Sequence, residues 1–260
     1  GMPMCQGYGL SEATPIICAN SDGHAIFGSS GRIVQPLDLK ICDEDGNEVP
    51  HGQKGEIVIK GENVMAGYWK NPESTAKTVV DGWLHTGDLG YVKDEHPGYL
   101  WVVGRFKSLL ISADGEKYSP EGFEDSLADG SKYIEQVILH NNQDPYTMAL
   151  IVPNKDTLKE LVKSKGLDPA SEEGKKAMLQ KIQDEVNEYR NGKFAGMFPE
   201  MCLPKAIAVL PEAFTEQNQL LNSSMKIVRG RVEERYADRI EYAYTAEGKE
   251  LMNEKNMASL

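Results

Sequence analysis

Apolar and polar residues alternate in short stretches over the first hundred positions and then change period. Leu37-Asp-Leu-Lys-Ile-Cys42 puts an apolar side chain at nearly every second position, the spacing that lines one face of a strand. Asp43-Glu-Asp-Gly-Asn47 carries the residues of a reversing turn. Gly55-Glu-Ile-Val-Ile-Lys-Gly61 reads as a second strand with glycine at both ends, and Asp94-Glu-His-Pro-Gly98 as a turn into a third, Tyr99-Leu-Trp-Val-Val103. Short strands separated by Gly, Asp and Asn turns predict a small barrel or sandwich.

Beyond Arg105 strands and helices alternate. Leu109-Leu-Ile-Ser112 predicts a strand, and Ser119-Pro-Glu-Gly-Phe-Glu-Asp-Ser126 the start of a helix, with Ser119 as N-cap, Pro120 at the first helical position and acids in the first turns. Gln136–His140 and Thr147–Val152 predict buried strands. A helix is expected over about 156–165, ending at Gly166. A longer one begins near Ser171, where Met178, Leu179, Ile182, Val186 and Tyr189 recur at helical spacing, a stripe read as packing. Lys205–Leu210 predicts another strand, and the polar tail after Val228 short helical pieces. The expected class is therefore α+β: a small β-barrel-like subdomain followed by a compact α/β C-terminal domain with a small sheet flanked by helices. The boundary falls near 104–107, which assigns 1–104 to the β-rich part and 105–260 to the second domain.

Composition narrows the functions. The chain has 260 residues, 40% of them hydrophobic, enough to bury a core in each part, and a net charge of −12. Nucleic acid is excluded as a partner, since phosphate binding needs clustered Lys and Arg and neither part is basic. An anionic ligand must then be held by local groups. No apolar run approaches membrane-spanning length, which leaves peripheral membrane contact open. Four cysteines (Cys5, Cys18, Cys42, Cys202) and five scattered histidines lack metal-ligand spacing. They read as free, mostly buried thiols of a reducing, cytoplasmic compartment.

Several segments carry candidate chemistry. In Trp83-Leu-His-Thr-Gly-Asp-Leu-Gly90 an acid, Asp88, sits on a tight Thr-Gly-Asp turn, and one carboxylate can accept two hydroxyls of a sugar diol; the same tripeptide also makes an ordinary turn. Gly98-Tyr-Leu-Trp-Val-Val-Gly-Arg105 then leads to an arginine at a strand's end. Gly7-Tyr-Gly-Leu-Ser-Glu12 offers glycines for close approach, an aromatic face, a hydroxyl and a carboxylate, suited to a stacked purine and a hard cation on Glu12, or simply to a loop after a strand. Phe27-Gly-Ser-Ser-Gly-Arg32 lacks the lysine and helix of a phosphate loop and reads as a structural turn. Asp114-Gly-Glu-Lys117 is a tight turn where Gly115 lets a ligand lie against the backbone. The stretch from Thr215 to Arg229 is polar and loop-like, with Lys226 before two apolar residues.

Taken in order, these motifs resemble the adenylate-forming superfamily of acyl-CoA synthetases, luciferases and peptide-synthetase adenylation domains. They are Gly7-Tyr-Gly-Leu-Ser-Glu12, Gly61-x-x-Val-x-x-Gly-Tyr-Trp-x-x-Pro-Glu-x-Thr75, Thr86-Gly-Asp88, Gly104-Arg105, Gly115-Glu-Lys-x-Ser-Pro120 and Lys226-Ile-x-Arg229. The ten-residue step from Arg105 to Gly115, and the Asp-Gly-Glu-Lys-Tyr-Ser-Pro-Glu form around it, look most like the long-chain fatty acid–CoA ligase branch. A medium-chain or aryl-CoA ligase, a carrier-protein adenylation domain and a non-catalytic interaction module built on the same fold are the alternatives.

The resemblance implies a two-step reaction on ATP, a fatty acid and CoA, with Mg²⁺. It assigns Lys226 to catalysis of acyl-adenylate formation, Tyr8 and Gly7 to the adenine, Ser11 to the α-phosphate, Glu12 to the metal, and Asp88 with Arg105 to the ribose. It also assigns Lys107 to a hinge, and Gly115 with Glu116 and Lys117 to the pantetheine arm of CoA. Ser11 stands where threonine is commoner, keeping the hydroxyl, and Ser108 where many relatives carry an acid. The superfamily's Ser/Thr/Gly-rich phosphate loop, which precedes the Gly-Tyr-Gly motif, has no counterpart here. The chain is thus expected to correspond to the C-terminal part of a longer enzyme, with Gly1 as a tag remnant, and to fold without being a competent ligase alone. Its first twenty residues are expected to be mobile or irregularly paired, because a strand without partners leaves its backbone groups unsatisfied.

Overall fold

Alternation over the first hundred residues becomes one antiparallel sheet in the computed structural model, which describes residues 5–260 apart from the Lys107 side chain. The chain divides into two units, Gly1–Lys107 and Ser108–Leu260. In the first unit the strands are β1 (Gly7–Gly9), β2 (Ile16–Ala19), β3 (Gly31–Ile33), β4 (Asp38–Cys42), β5 (Gly55–Lys60), β6 (Val79–Val80), β7 (Trp83–Val92) and β8 (Tyr99–Arg105). They hydrogen-bond in the order β1-β2-β3-β8-β7-β5-β4, with β6 beside β7. Ile17, Ile41, Ile57, Ile59, Leu84 and Leu100 meet in its core. The mixed α+β class is as expected, but the sheet path is open: no pairing joins β4 back to β1 among the described residues, so the barrel-like part is an open sheet.

One local reading is corrected, one helix is added, and one expectation is met. Thr86-Gly-Asp88 is not a reversal; it lies inside the ten-residue β7, where Gly87 at φ 72° and register shifts on β5 and β7 bend a continuous strand. A helix, α1 (Pro72–Thr78), follows Trp69; it buries no side chain and so has no apolar stripe to announce it, only start signals: an Asn71 N-cap that accepts the Ser74 amide at 3.0 Å, then Pro72 and Glu73 in the first turn. As expected for the start of the chain, β1 pairs irregularly with β2, with a register shift between Tyr8 and Gly9; residues 1–4 lie outside the described residues.

The turn around Phe27–Arg32 is structural. Ser29 and Ser30 are buried; the Ser29 hydroxyl donates to the Ile26 carbonyl at 2.9 Å, and Ser30 Oγ accepts the Val102 amide at 3.0 Å. Gly31 adopts φ 124°, and a Cβ there would lie 2.1 Å from the Ala19 carbonyl carbon. Gly31→Ala is therefore expected to destabilise this unit by about 2–3 kcal/mol through strain and overpacking, read as a lowered midpoint in thermal unfolding.

In the second unit β9 (Leu110–Ile111) and β10 (Lys117–Tyr118) form a hairpin, followed by α2 (Glu121–Gly130), β11 (Ile134–His140), β12 (Met148–Pro153), α3 (Lys155–Ser164), α4 (Glu172–Arg190), β13 (Ala206–Val209), α5 (Arg229–Arg235), α6 (Ala237–Ala243), α7 (Ala246–Lys249) and α8 (Glu254–Ala258). The sheet runs β11-β12-β13, antiparallel then parallel. Every residue of β12 is buried because alternate side chains enter different cores. Ala149 and Ile151 join Phe123, Leu158, Ile182 and Val186 from α2, α3 and α4, while Met148, Leu150 and Val152 join Phe214, Val232 and Ile240. Ser119 does not cap α2: the helix starts after Pro120 without a side-chain cap, and Ser119 Oγ is buried with no hydrogen-bond partner. All four cysteines are free thiols, Cys5 exposed and the other three buried. No helix among the described residues is long and apolar enough to cross a membrane.

Candidate functional site

In the first unit the fold brings together residues eighty positions apart. Tyr8, on β1, donates its hydroxyl to Asp88 Oδ2 at 2.6 Å. Burial and the adjacent Asp88 carboxylate push the Tyr8 phenol well above its ordinary value, so it acts as a donor. Asp88 in turn faces Arg105 as its register partner across β7 and β8. Gly7 is exposed beside Tyr8, and Ser11 and Glu12 lie in the 3₁₀ turn Ser11–Ala13 that follows β1.

The bend at Asp88 is held from below. Buried Glu56, on β5, accepts the Gly87 amide at 2.9 Å with one carboxylate oxygen and lies 2.8 Å from His85 Nδ1 with the other. Thr86 donates to the Ile57 carbonyl at 2.7 Å and accepts the Asp88 amide at 3.1 Å. Sequence pattern missed Glu56, whose signal is an acid inside an otherwise apolar strand.

Glu12 takes the Tyr68 hydroxyl on Oε1 at 2.8 Å. Among the described residues no group of three or more His, Cys, Asp or Glu could hold a metal ion. A single carboxylate such as Glu12 suits Mg²⁺, which keeps several waters and binds through one or two carboxylates plus substrate phosphates.

The second unit carries the remaining candidates on two loops. Gly115, at φ 87°, tops the β9–β10 hairpin with Glu116 and Lys117, and a Cβ at Gly115 would meet open space, so the turn presents bare backbone. Ser112 shapes it: its amide donates to the Glu116 carbonyl at 2.9 Å, and its hydroxyl bonds Asp114 and holds that carboxyl below the usual carboxylate range. A cavity of about 320 Å³ adjoins the hairpin, lined by Asp114, Asn141, Asp144, Tyr146 and Lys205 among others. Lys226 is exposed on a turn wound around Asn222, whose Oδ1 accepts the Ser224 amide, the Ser224 hydroxyl and the Lys226 amide at 2.8–3.0 Å. Lys107 lies in the 3₁₀ turn Phe106–Ser108 where the two units join.

The motif residue Arg229 forms a largely buried ion pair with Glu124 of α2 that sequence reading left unpaired. Arg229 donates to both oxygens of Glu124 at 2.6 and 2.7 Å and to the Leu139 carbonyl at 2.7 Å, while Glu124 also accepts the Leu139 amide at 2.6 Å. Burial pushes the Glu124 carboxyl upward, and the guanidinium opposes that shift.

The AMP-binding enzyme family matches residues 1–69, and the AMP-binding enzyme C-terminal domain matches residues 107–248. The chain belongs to this AMP-binding, adenylate-forming family.

Its relatives are diverse. The long-chain-fatty-acid–[acyl-carrier-protein] ligase AEE15 of Arabidopsis thaliana is 29% identical over 94% of this chain and 33% of its own length. The 2-succinylbenzoate–CoA ligase of Bacillus cytotoxicus is 40% identical over 56% of this chain and 30% of its own. Among solved structures, the adenylation domain of a carboxylate reductase from Mycobacterium chelonae superposes with a TM-score of 0.71 at 26% identity, over 93% of this chain and 34% of that one. The o-succinylbenzoate coenzyme A synthetase MenE of Bacillus subtilis, in complex with ATP and magnesium ion, gives 0.62 at 25% identity, over 90% and 42%. The chain spans about a third of the length of the curated relatives it matches.

Proposed function

We propose that this chain is the ribose-and-lysine portion of an ATP-dependent, AMP-forming acid–thiol ligase of the long-chain fatty acid–CoA branch. The observation that carries the reading is the Tyr8–Asp88 hydrogen bond, which joins an aromatic and an acid from two distant motifs into one diol-binding corner. The AEE15 relative, which by name acts on long-chain fatty acids, supports the acyl class, and the MenE complex supports ATP with magnesium.

In this reading a carboxylate oxygen of the fatty acid attacks the α-phosphorus of ATP, forming the acyl-phosphate bond as the bond to pyrophosphate breaks. Negative charge gathers between the two reactants, and the Lys226 ammonium is the preplaced counter-charge. Asp88 accepts the ribose hydroxyls with Arg105 alongside, Tyr8 lies on the adenine beside Gly7, and Ser11 reaches the α-phosphate. Glu12 would hold Mg²⁺, which neutralises phosphate charge when bound. In the second step the CoA thiolate attacks the acyl carbonyl and AMP departs, with the pantetheine arm against Gly115, Glu116 and Lys117. Lys107 is the pivot between 1–104 and 105–260 that exchanges the two loops, a gating step.

The test is acid-dependent pyrophosphate exchange by the full-length protein, followed by thioester formation, over fatty acids of increasing length and aryl acids. Exchange that peaks with long chains, and palmitoyl-CoA as product, is expected; exchange only with aryl or short acids overturns the long-chain assignment. Product formed on an acyl-carrier protein and not on CoA transfers the reading to the acceptor named for AEE15. Robust palmitoyl-CoA formation by the 260-residue chain alone would overturn the view that it is a portion of the working site.

Tyr8→Phe keeps the ring and removes the hydroxyl. The expected result is a rise in the KM for ATP of about 3–10-fold, the worth of one hydrogen bond, with kcat for exchange nearly unchanged. An equal fall in kcat would show that the hydroxyl serves chemistry instead of binding.

A further inference from the structure

Residues 222–227 form an unbroken exposed run between buried Leu221 and the half-buried Arg229. A loop with so little packing of its own takes its position from its two ends. At the near end, Leu220 and Leu221 enter the apolar cluster of Phe214 and Val232, and Val228 donates its amide to the Leu220 carbonyl at 2.8 Å, closing the base. Apolar contacts of this kind hold a loop down but are non-directional. At the far end, three residues beyond Lys226, the Arg229 guanidinium is gripped by both Glu124 oxygens and the Leu139 carbonyl. Glu124 is fixed in turn by the Leu139 amide, so guanidinium, carboxylate and the N–H and C=O of one residue of β11 close a ring. A planar fork engaged at both prongs sets angle as well as distance.

We propose that Glu124 and Arg229 are positioning residues for the lysine loop, so that their ion pair supports adenylation selectively and contributes little to thioester formation. This rests on the reading that Lys226 serves adenylation. Selectivity follows from how each loop is mounted. The Gly115 hairpin is shaped by its own Ser112–Asp114–Glu116 bonds, and α2 behind it is anchored by the fully buried Phe123 and Leu127. Neither mount needs the ion pair. The lysine loop is wound internally by Asn222 in the same way, but its far end is tied to α2 and β11 through Arg229.

The experiment is a pair of half-reactions on one preparation of the full-length protein: ATP–pyrophosphate exchange, and thioester formation from supplied acyl-adenylate. Their ratio is insensitive to any unfolded fraction, which lowers both alike. Arg229→Lys keeps the charge and loses the fork; Glu124→Gln keeps the Leu139 bond and loses the charge. Each is expected to lower exchange about 10–100-fold, in kcat more than in the KM for ATP, with thioester formation within about threefold of the parent. Equal losses in both half-reactions, or unchanged exchange, overturn the proposal. Lys226→Ala measured in parallel separates the two levels. If it leaves exchange intact, the functional reading fails; if it abolishes exchange while Arg229→Lys and Glu124→Gln do not, only the positioning role fails.

Discussion

Lys226→Ala in the full-length protein is expected to lower acid-dependent pyrophosphate exchange by about 10²–10³-fold, the usual effect of deleting one preorganised group that stabilises developing negative charge. The loss belongs in kcat, because the ammonium is worth more against the transition state than against bound ATP. Stability should hardly change. The Lys226 side chain is exposed, and the turn beneath it is held by the Asn222 carboxamide and by backbone, groups that alanine leaves in place. Such surface replacements alter stability by no more than about 0.5 kcal/mol, so an unchanged melting temperature should accompany the lost exchange. Thioester formation from supplied acyl-adenylate should survive, because the lysine's counter-charge is spent once pyrophosphate has left. Unaltered exchange in a folded variant would remove Lys226 from the mechanism. A parallel fall in both half-reactions would make it a nucleotide ligand.

Strongly periodic elements were legible in the sequence. The α4 stripe of Met178, Leu179, Ile182, Val186 and Tyr189 is buried as spaced, and Ser171 caps the helix by accepting the Gly174 amide at 3.0 Å. Elements whose determinants lie far away in the chain were not. Thr86-Gly-Asp88 looks the same locally whether its glycine reverses the chain or bends a strand; what decides is the partner strand, where Glu56 takes the Gly87 amide. Acids after Pro120 read as ordinary helix-start residues, yet Glu124 is buried against an arginine 105 positions later, a pairing with no local signature. The motif strings of the candidate site were visible because their residue types are chemically unusual for where they sit. Of the groups that support them, Glu124 carries no local mark, and Glu56 shows only as an acid inside an otherwise apolar strand.

Asp88→Asn is the second large effect, and it should damage both half-reactions where Lys226→Ala damages one. Asparagine nearly matches the shape of aspartate, and its Oδ1 can still accept the Tyr8 hydroxyl, so the corner should remain intact. What is lost is charge and one acceptor: a carboxylate can receive two ribose hydroxyls, while an amide offers one oxygen and an NH₂ that cannot accept. Hydrogen bonds to a charged partner contribute about 1.5–3 kcal/mol, equivalent to a roughly 10–150-fold rise in the KM for ATP. The ribose is common to ATP and to the acyl-adenylate, so the concentration of supplied acyl-adenylate giving half-maximal thioester formation should rise by a similar factor. Saturating substrate should restore most of kcat in each step, since the contact is present in ground and transition states alike. Titration of ATP in the exchange assay and of acyl-adenylate in the thioester assay reads both shifts. A rise in only one, or in neither beyond twofold, would mean that Asp88 bends β7 beside Tyr8 without carrying the nucleotide.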